Sequence, residues 1–261
     1  MVGLTSITPS PAKPPVTASA TLNLDDTNAQ LLPQDAADRV RWAASHFRDG
    51  LAMTSSFGAQ SAVMLHLVTQ VVPDIPIVWI DTGYLFPETY QFAEQLRDRL
   101  DLNLQVFTAD ITPAHFEAIH GRAWEDSEQG QSDYLKRFKV EPMQRAIADL
   151  GITCWLAGLR AEQTKHRATL RPVEKQNGVY KVHPILNWTG KQVGDYLAAH
   201  DLPYHPLVAQ GSASIGDTHS TRKVTDQMND RDGRFTGLRQ ECGLHLPTTA
   251  EENESRGSSG L

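Results

Sequence analysis

Short apolar runs alternate with helix-period segments between about residues 40 and 157, and this alternation constrains the fold more than any other feature of the chain. Val40, Ala43, Ala44 and Phe47 recur at one-face helical spacing, and Leu51 to Thr54 reads as a strand. A helix from about Ala59 buries Val63, Met64, Leu67, Val68 and Val71. Ile75 to Ile80 follows, apolar enough for a central parallel strand. Pro87-Glu88 opens another helix, Leu102 to Thr108 is a third strand, and Ile152 to Ala157 a fourth after a helix around Pro142 to Leu150. Such alternation predicts an α/β fold: a single Rossmann-like domain whose mostly parallel sheet carries helices on both faces. Asn177-Gly178, between Val173 and the run Val179 to Val182, predicts a hairpin added to that core.

The first 33 residues, rich in Ser, Thr, Pro and Ala without an apolar signal core, read as a disordered leader. The domain is expected over 34–236, a catalytic C-terminal segment over 237–246, and a disordered tail over 247–261. A net charge of −7 argues against nucleic acid as a partner, since duplex binding needs broad basic surfaces. It leaves room for a small anion in a local basic cleft. No segment reads as membrane-spanning. The two cysteines, Cys154 and Cys242, lack CxxC spacing and point to a reducing, cytoplasmic setting. By themselves they cannot assemble a zinc or iron-sulfur site.

In open α/β sheets, ligands bind beyond the carboxyl ends of the strands. After the first strand comes Ser55-Ser56-Phe57-Gly58-Ala59-Gln60-Ser61, leading into a helix N-terminus whose free N–H groups favour an anion. The same residues also suit an ordinary strand-to-helix turn capped by Ser. After the second comes Asp81-Thr82-Gly83, where Asp81 either bonds a ligand's ribose or amide donor or caps its own turn. After the fourth come Gly158 and Arg160, followed by Lys165, His166 and Arg167. Arg160 can form a bidentate pair with an anionic oxygen. Arg222, Lys223, Arg231, Arg234 and Arg239 form a further basic group before Glu241-Cys242-Gly243-Leu244-His245, where nearby cations favour a nucleophilic thiolate. Trp79, Trp155 and Cys154 lie in apolar strand patterns and read as core. His115 and His120 lack metal-site spacing and read as surface residues.

Taken in order, Ser55 to Gly58, Asp81 to Glu88, Lys139 to Pro142, Gly158 to Arg160, Ser214 to His219 and Glu241 to His245 resemble the sulfonucleotide reductases of sulfate assimilation, specifically the phosphoadenylyl-sulfate (PAPS) reductases. The loop from Ser56 to Ser61 also resembles a modified PP-loop, which implies an adenine nucleotide alpha hydrolase-like fold with a mobile C-terminal tail. Gln60 stands where the pyrophosphatases of that superfamily carry an acidic residue. A side chain without charge cannot help hold magnesium, so a PP-loop adenylyltransferase or ATP pyrophosphatase is the weaker reading. A noncatalytic nucleotide-binding module would leave the cysteine segment without a role.

The resemblance implies a thiol-dependent oxidoreductase that reduces PAPS to sulfite and adenosine 3′,5′-bisphosphate through an S-sulfocysteine on Cys242, with His245 steering the thiolate or sulfonate. It assigns substrate contacts to Ser55, Ser56, Phe57, Gly58, Gln60, Asp81, Thr82, Gly83, Lys139, Gly158, Arg160, Arg167, Arg222, Arg234 and Arg239. Thioredoxin or glutaredoxin would supply electrons, no flavin or metal being required, and the protein would be a homodimer. Relatives that reduce adenylyl sulfate (APS) typically hold an iron-sulfur cluster on a Cys pair and a later CxxC, where this chain has Tyr134, Leu135, Asp217 and Ser220. The resemblance therefore implies a cluster-free enzyme preferring PAPS, with a cluster-free APS reductase as the alternative.

Overall fold

The computed structural model describes residues 22–222. Helices α1 (Leu24–Leu31) and α2 (Ala36–Phe47) lead into β1 (Leu51–Thr54), α3 (Ser61–Thr69), β2 (Ile77–Asp81), α4 (Pro87–Leu100) and β3 (Leu104–Thr108). Next come α5 (Pro113–His120), α6 (Ala123–Asp126), α7 (Glu128–Leu135), a π-helical turn at Lys136–Val140, and α8 (Glu141–Leu150). Strand β4 (Cys154–Leu156), the hairpin strands β5 (Val173–Gln176) and β6 (Val179–Val182), and α9 (Gly190–Ala199) complete the regular elements.

The six strands are ordered β3-β2-β1-β4-β6-β5. All neighbours run parallel except β5 and β6. Asn177 and Gly178 both take positive φ, 51° and 78°, the pairing a tight two-residue hairpin requires. Strand alternation sends Leu51, Met53, Ile77, Trp79, Cys154 and Leu156 into the larger core with α2, α3, α4 and α9. Ala52, Val78 and Trp155 face the opposite side, where Met143 and Ala146 of α8 cover them. The predicted two-sided sheet is thus what forms.

From β1 the chain steps outward to β2 and β3, then returns to lay β4 on the other side of β1. Strand order reverses between β1 and β4, and the loops leaving their carboxyl ends diverge there to open a crevice.

The expected boundary of the leader at residue 33 is corrected. Residues 24–31 form a helix that Asn23 caps by accepting from Asp25 and Asp26 N–H. Asn28 fixes it to the sheet: its side chain donates to Val173 C=O at 2.9 Å and accepts from Val173 N–H at 2.8 Å. Leu31 is fully buried, and Arg39 then donates to the carbonyls of Leu31, Leu32 and Pro184 and to Asn187 Oδ1. The polar stretch Leu24–Leu31 carries too few apolar side chains to signal this, because its anchor is an amide that occupies the edge of β5.

Lys139 sits in the π-turn and not in a regular first helical turn. Pro142 explains the widening: it has no N–H to offer Phe138 C=O, four residues back, and its ring would collide with that carbonyl in an α-helix.

Candidate active site

A cavity of about 260 Å³ occupies the crevice between the β1 and β4 ends. Ser55, Ser56, Gly58 and Gln60 form one wall and Gly158, Arg160 and Arg167 another. Lys139 and the segment Ala213–Gly216 add to its polar rim, over a floor that includes Met53, Val78 and Trp155. An apolar floor with converging cations suits a nucleotide: a base on one side and anionic groups on the other.

The loop after β1 is shaped by Phe57. Its φ is +48°, unusual for a bulky residue, and its ring is fully buried, edge-on to Trp79 at 4.9 Å. Phe57 N–H donates to Ser55 Oγ at 3.1 Å, closing the turn. Phe57, assigned a substrate contact by resemblance, buries its ring in the core and is not among the residues that line the cavity. Gly58 beside it does not have positive φ, and a Cβ there would meet nothing closer than 3.5 Å. Gln60 is the N-cap of α3 but makes no side-chain cap; its Oε1 instead accepts from Arg160 Nη2 at 3.3 Å. The first turn of α3 consequently faces the cavity without a side-chain cap, where an anion is favoured.

On the β4 side, Gly158 is required by close packing: a Cβ would lie 2.8 Å from Met64 Cγ. Arg160 is buried, paired with Glu162 as well as Gln60. Arg167, also buried, donates to Gln163 Oε1, the oxygen that accepts from Arg160 N–H at 3.1 Å. Gln163 thus ties the two arginines together, and no sequence signal beyond its place between them identified it.

Asp81, Thr82 and Gly83, assigned as substrate contacts by resemblance, are not among the residues that line the cavity. Asp81 Oδ1 accepts from Gly83 N–H at 2.8 Å and from Tyr90 Oη at 2.7 Å, the turn-capping alternative. Burial, then that bond, pushes the Tyr90 phenol well above its ordinary value. Gly83 has φ +71° and sits where a Cβ would strike Pro113 at 2.7 Å. Thr82 is buried and donates to Asp217 Oδ1 at 2.7 Å. Arg222 is exposed at the end of the described residues and lines no part of the cavity. Arg234, Arg239, Cys242 and His245 lie outside the described residues.

Tyr134, Leu135, Asp217 and Ser220 are all buried. Tyr134 packs with Tyr84, Phe138 and His219 at ring distances of 5.7, 5.0 and 4.7 Å, and Trp124 closes the group. A phenol, an alkyl chain, an ion-paired carboxylate and a hydroxyl do not fit an iron-sulfur cluster, which thiolates hold. Among the described residues no group of three or more His, Cys, Asp or Glu side chains could hold a metal. Cys154 is fully buried, and burial pushes its thiol well above the usual range. No helix among the described residues is long and apolar enough to cross a membrane.

A family model described as the phosphoadenosine phosphosulfate reductase domain matches residues 50–223. The chain is similar to the phosphoadenosine 5′-phosphosulfate reductase of Synechocystis sp., 51% identical over 242 residues, covering 92% of this chain and 97% of that one. The enzyme of the same name from Photobacterium profundum is 49% identical over 237 residues, 91% of this chain and 92% of its own. Among solved structures, a phosphoadenylyl-sulfate reductase from Candida auris in complex with phosphate is similar with a TM-score of 0.69 and 29% identity, over 78% of this chain and 100% of its own. An FMN adenylyltransferase from Candida glabrata reaches a TM-score of 0.53 at 14% identity, over 91% of this chain and 87% of its own, a likeness of fold alone.

Proposed function

The chain belongs to the phosphoadenosine phosphosulfate reductase family, and from that premise we propose that it reduces PAPS to sulfite and adenosine 3′,5′-bisphosphate with electrons from an external dithiol. The observation that carries the reading is the cavity at the β1/β4 switch point, where uncharged Ser55, Ser56 and Gln60 face cationic Lys139, Arg160 and Arg167. A sulfonate and two phosphate centres bring several negative charges toward an anionic nucleophile, and these cations offset the repulsion. With no carboxylate at Gln60 to help hold magnesium, the same loop is poorly suited to splitting ATP.

In this proposal the Cys242 thiolate attacks the sulfonate sulfur, the bond from that sulfur to the bridging phosphate oxygen breaks, and adenosine 3′,5′-bisphosphate leaves with the electron pair. The product on the enzyme is an S-sulfocysteine. A thiolate of the donor, a thioredoxin or glutaredoxin, then attacks Cys242 Sγ and expels sulfite. The donor's second thiol clears the mixed disulfide, so two thiols become one disulfide as the sulfonate sulfur becomes sulfite. Arg222, Arg234, Arg239 and His245 accompany Cys242 as contacts made from the C-terminal side. Iron is not required, because the buried side chains at Tyr134, Leu135, Asp217 and Ser220 offer no thiolate. A homodimer in a reducing compartment completes the proposal.

Purified protein incubated with PAPS and no reductant is expected to carry a sulfonate on the Cys242 peptide by mass spectrometry, released as sulfite when a dithiol is added. An unmodified peptide with undiminished turnover would overturn the covalent route. Equal efficiency on PAPS and APS would move the reading to an APS reductase.

A further inference from the structure

Behind the cavity wall lies a buried ion pair. Lys139 Nζ is 2.6 Å from Asp217 Oδ2, with the two side chains 11% and 0% exposed. Lys139 lines the cavity and Asp217 does not. The second carboxylate oxygen accepts from Thr82 Oγ1 at 2.7 Å, which fixes the rotation of the carboxylate as well as its position. The backbone is fixed too: Asp217 forms a bridge with Leu85, and Thr218 N–H donates to Tyr84 C=O at 2.8 Å. Lys139 approaches from the π-turn forced by Pro142, a local irregularity of the kind that recurs at functional sites.

We propose that Asp217 is the positioning residue of this site, holding the Lys139 ammonium at the cavity wall by a charge that itself never meets the ligand. The inference rests on the reaction proposed above. A lysine on a four-carbon stem has no preferred direction, unlike the guanidinium forks of Arg160 and Arg167 with their planar partners. Asp217 supplies that direction. It also competes with the bound anion for the ammonium, so it weakens ground-state attraction while keeping the cation where charge develops on the departing phosphate. Orientation therefore acts on turnover more than on binding.

Asp217→Asn keeps the shape and an oxygen for Thr82 while removing the charge. Its kcat with PAPS and dithiol is expected to fall by about tenfold or more, with the Kd for adenosine 3′,5′-bisphosphate changing by less than about threefold. In a Lys139→Gln background the same substitution is expected to add nothing further. If Asp217→Asn does not fold, Thr82→Val, which leaves both charges and removes the orienting bond together with the hydroxyl's longer 3.3 Å bond from Tyr84 N–H, is expected to show the same split. A wild-type kcat in Asp217→Asn overturns the positioning role. So does an equal loss in both backgrounds, or nucleotide affinity falling in step with turnover, which mark a wall residue. Wild-type protein that makes no sulfite from PAPS refutes the reaction itself, a result separate from either.

Discussion

At the scale of single residues, the two cysteines divide between chemistry and packing. Cys242→Ser is expected to abolish sulfite formation while leaving nucleotide affinity unchanged, checked by product assay and calorimetry. Cys154→Ala is expected to keep turnover but lose about 1 kcal/mol of stability in urea unfolding, as a buried small hydrophobe does. His205 provides a pH signature. It is buried, its Nδ1 accepts from Leu207 N–H at 3.1 Å, and so Nε2 carries the proton and donates to Thr89 Oγ1 at 3.0 Å. Burial lowers its value from 6.5 to about 4. Between those values the unfolded chain binds the extra proton and the folded one does not. Stability is therefore full above pH 6.5, falls as pH drops to about 4, and is level below for this group. The loss is expected to be on the order of 2 to 3 kcal/mol by urea unfolding, and shallower in His205→Asn. His183, lowered by burial although Glu174 opposes the shift, acts in the same direction.

At the scale of elements, the site depends on segments that fit only one way. Gly158 lets the β4 end pass α3, and Gly158→Ala would drive a Cβ to 2.8 Å from Met64 Cγ inside a packed interface. A stability loss of about 1 to 3 kcal/mol is expected by chemical denaturation, with weaker nucleotide binding because the same backbone lines the cavity. Helix α1 is held by Asn28 rather than by a hydrophobic stripe. Asn28→Ala leaves Val173 N–H and C=O without these partners and is expected to cost about 2 kcal/mol or more. A chain shortened to begin at residue 34 is expected to lose more than one shortened to begin at residue 22, measured by thermal unfolding, because it also uncovers Leu31's packing site.

At the scale of the whole molecule, an acidic chain brings Lys139, Arg160 and Arg167 together at one crevice. Nucleotide affinity is expected to weaken with salt by less than exposed pairs would, since Arg160 and Arg167 are buried. Under the proposed mechanism one thiol meets a small nucleotide and then a protein donor, so the 237–246 segment must both close on the cavity and present Cys242 outward. Adenosine 3′,5′-bisphosphate is therefore expected to slow hydrogen exchange over that segment, an effect reduced at high salt. Exchange that is slow without nucleotide and unchanged by it would mean that Cys242 reacts from a fixed position.

The sequence by itself determined the strands, the helices α2, α3, α4 and α8, the Asn177-Gly178 hairpin and which strand ends matter, because apolar periodicity and turn chemistry act between near neighbours. Ser55, Ser56, Gly58, Gln60, Gly158, Arg160 and Arg167 were legible as cavity residues for the same reason, each following a recognisable strand end, whereas Lys139 came only from the family resemblance. What only the tertiary structure decided are partnerships across long separations. Asn28 meets Val173 145 residues away, Thr82 meets Asp217 135 residues away, and Lys139 finds its counter-charge in the same carboxylate. Asp81 turned to cap its own loop and Phe57 sank into the core, where neighbouring strands left it room. Local pattern tells a side chain which face it is on, but its partner is chosen by the path of the chain.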